Sequence, residues 1–210
     1  MNLRPELNEE LARIVKKYDG DHMARYDSGH KHNVPHNIYT HEPSWAIDEY
    51  FQIMKEMFET YIFEVAGITP GHITKPTFNA FGNWEQRGQF SPLHAHHGNQ
   101  VVVTYYPEVI RNPNEPHPYA GSLYFHTPAT SQSGFWARTA PAFFPIKVET
   151  GTMVVFPGNA AHSTTPFFEE GSSKCAIVTN VRFTGAREGD DHPATYQQAD
   201  YIEDIRETLK

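Results

Sequence analysis

The residues of this chain best suited to chemistry are histidines in two half-patterns. Gly88 is followed, after five intervening residues, by His94-Ala95-His96; Gly151 is followed after five by Pro157 and, after four more, by His162. Two imidazoles one residue apart on an extended segment point to the same side, because side chains alternate with period two. A third imidazole from a distant strand puts three neutral ligands on one face and leaves positions open for a substrate or dioxygen. That is how a catalytic transition-metal site is built, in contrast to a closed structural one. His97, adjacent to His96, would face the other way. No cysteine set competes for the metal, since Cys175 is the chain's one cysteine.

These ligands need strands to carry them. Gly151-Thr-Met-Val-Val-Phe156-Pro157-Gly158 predicts a turn, a short buried strand and a second turn, delivering His162 at the rim of a barrel. The apolar run Val101-Val102-Val103 supplies the strand that follows the first half-pattern. From His72 onward the period is strand-like, with strands expected at Thr74–Asn83, Gln100–Tyr106, Ser122–His126, Phe143–Val148, Thr152–Phe156 and Lys174–Phe183. Turn-rich inserts at Asn112–Gly121 and Thr127–Ala142 separate them. Before His72 the pattern is helical. Leu7, Leu11, Ile14 and Val15 form a stripe between Pro5 and Lys17. Ser44 is an N-cap for a helix from Trp45 to about Val65, whose broad apolar face runs from Ile47 to Ile62, and Gly67 ends it. Such stripes pack on sheets. The stretch from Asp21 to His41 reads as a loop or extended arm, and its histidines, His22, His30, His32, His36 and His41, are expected to be solvated.

The expectation is a mostly β protein with flanking helices: a double-stranded β-helix (jelly-roll or cupin-like) core with N-terminal helices packed on one sheet. The 210 residues are read as a single domain, with a helical part over 1–70, the core over about 71–185 and a charged tail over 186–210, which carries a short helix at Tyr201–Leu209. The net charge of -8 and the lack of a Lys/Arg cluster argue against nucleic acid as a partner. One cysteine excludes an intramolecular disulfide and suits a reducing compartment. Cys175, in Cys175-Ala-Ile-Val-Thr, reads as a small core hydrophobe rather than a nucleophile. The polar, acidic N-terminus has no signal-like apolar region, and no stretch approaches the ~20 apolar residues of a membrane helix. A soluble, cytoplasmic protein with no membrane partner is expected.

Several runs together carry a family resemblance: Gly88-Gln-Phe-Ser-Pro-Leu-His94-Ala-His96-His-Gly98, Tyr105-Tyr106, Gly121-Ser-Leu-Tyr-Phe125-His-Thr-Pro128 and Gly151-Thr-Met-Val-Val-Phe156-Pro157 with His162. From about Phe81 to Arg182 the chain resembles the 2-oxoglutarate/Fe(II)-dependent oxygenases of the prolyl-hydroxylase-like kind. The resemblance implies Fe(II) on His94, His96 and His162, with 2-oxoglutarate chelating the iron and dioxygen as the other reactant. The product would be a hydroxylated small molecule or peptide. It also implies a basic residue on the last core strand for the distal carboxylate of 2-oxoglutarate. Lys174, twelve residues after His162, fits that role best, with Arg182 in reserve; the bland alternative for Lys174 is a solvated charge at a strand end. Tyr105 is assigned to the cofactor pocket, and Tyr105, Phe125 and Phe156 to its walls, although aromatic strand residues are core by default. The insert Gln132-Ser-Gly134-Phe-Trp136-Ala-Arg138 reads as a substrate lid, with Trp136 and Arg138 joining Phe125 around the substrate.

The chain departs from that family where it matters. The usual ligand set is His-x-Asp/Glu followed by His. Here His96 stands in the carboxylate's place, and no acidic residue lies between Gln86 and Glu108. Three neutral ligands leave a ferrous site one charge more positive, which favours a dianionic co-substrate and also tolerates Zn²⁺ or Cu²⁺. A His96-x-Gly98 pair, leaving a ligand position for halide, is a minor variant. The spacing also resembles the cupin signature, except that Gln100 stands where cupins usually carry Glu. A cupin-type three-histidine dioxygenase would need no 2-oxoglutarate, and a non-catalytic metal-binding β-barrel would need neither co-substrate nor dioxygen.

Overall fold

The computed structural model describes residues 4–17, 38, 44–68, 73–126 and 143–185. The histidines expected on the arm, the lid residues Trp136 and Arg138, and the tail with its short helix lie outside the described residues.

Helix α1 spans Pro5–Lys17 and buries Leu7, Leu11, Ile14 and Val15, the stripe that the sequence predicts. Helix α2, Trp45–Thr60, starts where Ser44 leaves extended backbone and its hydroxyl accepts a hydrogen bond from the Ile47 N–H at 3.3 Å. That satisfies one of the orphan donors of the first turn, a contact usually worth about 1 kcal/mol. The chain then winds more loosely through a π-helical segment, Tyr61–Val65, closed by an Ala66 N–H bond to the Tyr61 carbonyl. Gly67, at φ +67°, ends it.

Among the described residues seven strands follow: β1 (Ile73–Gln86), β2 (Val101–Ile110), β3 (Leu123–His126), β4 (Phe143–Ile146), β5 (Thr152–Pro157), β6 (His162–Thr164) and β7 (Ser173–Gly185). They form an antiparallel four-stranded sheet in the order β1-β7-β2-β5 and a three-stranded sheet in the order β4-β3-β6. A bridge between His94 and His162 adds the segment before β2 to the free edge of β6. The fold is a double-stranded β-helix. β6 escapes the sequence reading because His-Ser-Thr is too short and polar for a periodic signal, and β1, β2 and β7 run beyond their expected ends.

Alternation along the larger sheet sorts its side chains onto two faces. Val101, Val103, Tyr105, Cys175, Ile177 and Val181 join α1 and α2 in one apolar cluster on the outer face. Tyr106, Ala176 and Val154 point inward and meet Leu123, Phe125 and Ile146 of the smaller sheet. The helices therefore seal one face of the larger sheet, and the space between the two sheets is left for chemistry. No helix among the described residues is long and apolar enough to cross a membrane.

Candidate metal centre

His94, His96 and His162 converge. Their ligating nitrogens all lie within 4.8 Å of one another, and the ring centroids are 4.3 to 5.1 Å apart. The backbone dictates this meeting. His94 and His162 exchange both N–H···O bonds across their bridge, each at 2.9 Å, so their side chains leave the ladder as a directly opposed pair. His96 is placed by a second clamp: its N–H donates to the Gly158 carbonyl at 2.8 Å, and the Gly158 N–H donates to the Gln100 carbonyl at 3.0 Å. A Cβ on Gly158 would lie 2.0 Å from the Asn99 oxygen, so only glycine lets the turn after β5 lie against the His96 segment. The Pro157-Gly158 punctuation thus positions a ligand on the segment that precedes β2.

Each imidazole is oriented through its Nδ1. That of His94 bonds the Pro92 carbonyl at 2.7 Å, that of His162 the Ala160 carbonyl at 2.8 Å, and that of His96 the Asn180 side-chain oxygen at 2.7 Å. A carbonyl oxygen only accepts, so Nδ1–H is the donor in all three, and in the neutral ring the lone pair falls on Nε2. Three tautomers fixed through Nδ1 are what outer-shell partners give to histidines that ligate a metal through Nε2. Burial, with smaller contributions from His94 and His126, lowers the His162 pKa to about 4, which keeps that ligand deprotonated at neutral pH. The donor set fits a first-row divalent ion such as iron, zinc or copper.

The other predicted site residues divide. Phe125 and Phe156 flank the His162 ring at 6.0 and 4.9 Å and touch each other edge to face. Tyr105 goes elsewhere: it is fully buried on the outer face of the larger sheet, its hydroxyl donates to Asn8 of α1, and its ring packs on Tyr50 of α2. The parity of β2 gives the interior position to Tyr106. Arg182 lies against the loop that follows His96, its Nε donating to the Gly98 carbonyl at 2.9 Å. His97 is exposed, and His126 bonds Ser163 outside the cluster.

Lys174 is not a solvated strand-end charge. It is 1 % exposed, its Nζ lies 2.9 Å from the Glu85 carboxylate, and it also donates to the Gly121 carbonyl at 3.0 Å. Glu85, on β1, further accepts from Asn83 (3.0 Å), Ser91 (2.7 Å) and Thr164 (3.1 Å). Ser91 precedes His94 on its segment, and Thr164 stands two residues after His162 on β6, facing the same way. The ion pair is therefore the next interior layer beneath the histidines.

Two participants escape the sequence reading. Asn180 carries a usable signal, a lone amide in the apolar run Cys175–Val181. Glu85 carries none, because its pairing with Lys174 depends on the β1–β7 register.

No family model and no curated protein matches the chain. Solved structures do. A Pseudomonas putida prolyl-4-hydroxylase aligns at a TM-score of 0.53 and 16 % identity, covering 89 % of this chain and 83 % of that one. A Trichoplax adhaerens prolyl hydroxylase, in complex with a hypoxia inducible factor peptide fragment, aligns at 0.54 and 16 %, covering 86 % and 80 %. HygX from Streptomyces hygroscopicus, with nickel and 2-oxoglutarate bound, aligns at 0.51 and 12 %, covering 95 % and 88 %. At these identities the likeness is one of fold: this chain has the double-stranded β-helix of the prolyl-hydroxylase-like oxygenases, and it carries a three-histidine cluster between its sheets.

Proposed function

We propose that the chain is a non-haem Fe(II)- and 2-oxoglutarate-dependent oxygenase that hydroxylates a small molecule or a peptide. The observation that carries this reading is the cluster itself: three imidazoles with every Nδ1 committed to an oxygen and ligating nitrogens within 4.8 Å of one another. The fold shared with HygX and the two hydroxylases supports the same reaction class.

His94, His96 and His162 would hold the iron, and Asn180 would keep the His96 ring aimed. Bound iron would supply activation of dioxygen: one oxygen atom enters the C–H bond of the substrate as a hydroxyl, and the other enters succinate as 2-oxoglutarate loses CO₂. Phe125 and Phe156 would exclude water from one side of the centre. Lys174 would meet the distal carboxylate, Arg182 is the reserve for that role, and Trp136 and Arg138 are assigned to the substrate side.

Anaerobic titration tests this. Wild-type protein with one equivalent of Fe(II) should develop a 2-oxoglutarate-dependent chelate absorption band, and His94→Ala should not. The commitment of Lys174 to Glu85 favours a second reading, a three-histidine dioxygenase of cupin type that uses no 2-oxoglutarate. Iron binding without that band, together with oxygen uptake on a thiol substrate, would establish the second reading and sink the first.

A further inference from the structure

Glu85 and Lys174 have side chains only 2 % exposed, and each is nearly saturated. The ammonium has three N–H groups, of which one goes to Glu85 and one to the Gly121 carbonyl. Gly121 is itself closely packed: a Cβ there would lie 2.2 Å from the Phe167 ring, and its N–H donates to the Thr165 carbonyl at 3.1 Å. The carboxylate is held from the other side by Asn83, Ser91 and Thr164. Ser91 and Thr164 belong to the two segments that deliver His94 and His162, so Glu85 is tied to the walls of the metal centre.

We infer that Glu85 is an internal carboxylate competing for the Lys174 site that the distal carboxylate of 2-oxoglutarate would take, which makes it a specificity-determining residue that weakens the binding of dicarboxylates, 2-oxoglutarate included, without abolishing it. The inference rests on the role proposed for Lys174 above. A second carboxylate arriving at Lys174 finds one N–H left and an existing negative charge within bonding distance of the same ammonium. Two carboxylates sharing one cation in a water-poor space repel, and the incoming one has to displace Glu85 or lose most of its affinity. The pair also gives Glu85 a second role, since it neutralises a lysine that would otherwise stand charged and unpartnered in the interior.

The test separates the anion site from the iron chemistry by using glutarate, a dicarboxylate with no keto group, on the metal-free protein. Calorimetric titration of wild type, Glu85→Gln and the double variant Glu85→Gln/Lys174→Met should give weak binding, binding tighter by about ten-fold or more, and loss of that gain, in that order. Glu85→Gln binding no tighter than wild type would overturn the inference, as would a gain that survives in the double variant. Should Glu85→Gln fold poorly, thermal unfolding against glutarate supplies the reading: a larger ligand-dependent rise in Tm than wild type supports the inference, and an equal or smaller rise overturns it. The same variants are then titrated with Fe(II) and 2-oxoglutarate. No chelate band in any of them, beside a glutarate gain in Glu85→Gln, would remove the 2-oxoglutarate reading and leave Glu85 as the occupant of the anion site. A strong band in wild type with no gain in Glu85→Gln would do the reverse.

Discussion

The barrel interior holds two polar layers, three histidines in one and Glu85 with Lys174 in the next, and they use their hydrogen-bonding capacity in opposite ways. In the histidine layer every ring spends its Nδ1 on a protein oxygen, and the ligating nitrogens of the three rings lie within 4.8 Å of one another, close enough to share one ion. In the second layer the carboxylate meets four protein partners and the ammonium two, and the charges cancel. The first layer is built for a ligand, and the second completes itself. Polar groups in a low-dielectric interior can satisfy each other or wait for a partner, and only the waiting kind marks a site by itself.

The comparison breaks most sharply with ligand removal. His94→Ala and His162→Ala should each abolish stoichiometric Fe(II) binding in equilibrium dialysis, because two imidazoles do not preserve the chelate. The metal-free His94→Ala protein should unfold within about 1 kcal/mol of wild type, since the lost ring is only partly buried and held by one backbone bond. Stoichiometric iron in either variant would mean that the histidine layer is not the metal centre.

The second layer should respond the other way round. Lys174→Met strands the Glu85 charge in the interior, and breaking a buried pair from one side typically costs about 3–5 kcal/mol. Urea denaturation of the metal-free variant measures that loss. Replacing both partners with Glu85→Leu/Lys174→Met should recover most of it, because two apolar side chains leave no uncompensated charge. Ferrous binding should survive in the double variant if the two layers are independent. A double variant as unstable as Lys174→Met would show that the cost lies in packing rather than in charge.

The two layers were also unequally legible in the sequence. The histidine spacing was readable because the chemistry needs residue types at fixed offsets on two segments, and a His-x-His pair on extended backbone has one geometric meaning. The helices were readable because Ser44 and the Leu7-to-Val15 stripe are local signals. The Glu85–Lys174 pair was not, since it joins residues 89 apart in sequence through a strand register that nothing near either residue encodes. Tyr105 was placed in the pocket for the same reason: the adjacent tyrosines Tyr105 and Tyr106 must face opposite ways, but which one faces inward depends on where the helices pack. β6 stayed hidden because its three residues are held in place by their neighbours.

Asn180 joins the larger sheet to the histidine layer and provides the finest test of the contrast. It stands on the inner face of β7, and its side-chain oxygen accepts from His96 Nδ1 at 2.7 Å. Through that bond it would act on the ligand, as a positioning residue. Removing an outer-shell partner of a metal-bound histidine typically costs about 10–100-fold in metal affinity. Asn180→Leu should therefore weaken ferrous binding by about that factor while leaving the helix-packed outer face of β7 intact. Asn180→Asp distinguishes orientation from bulk: a carboxylate in the same place accepts the same N–H and makes the imidazole a stronger ligand, so affinity should return to the wild-type level or exceed it. A merely structural Asn180 would predict the opposite ranking, with the buried charge of the aspartate more damaging than leucine in both metal affinity and unfolding. Competition titration against a chelator of known affinity, run on the three proteins side by side, decides between the two orders.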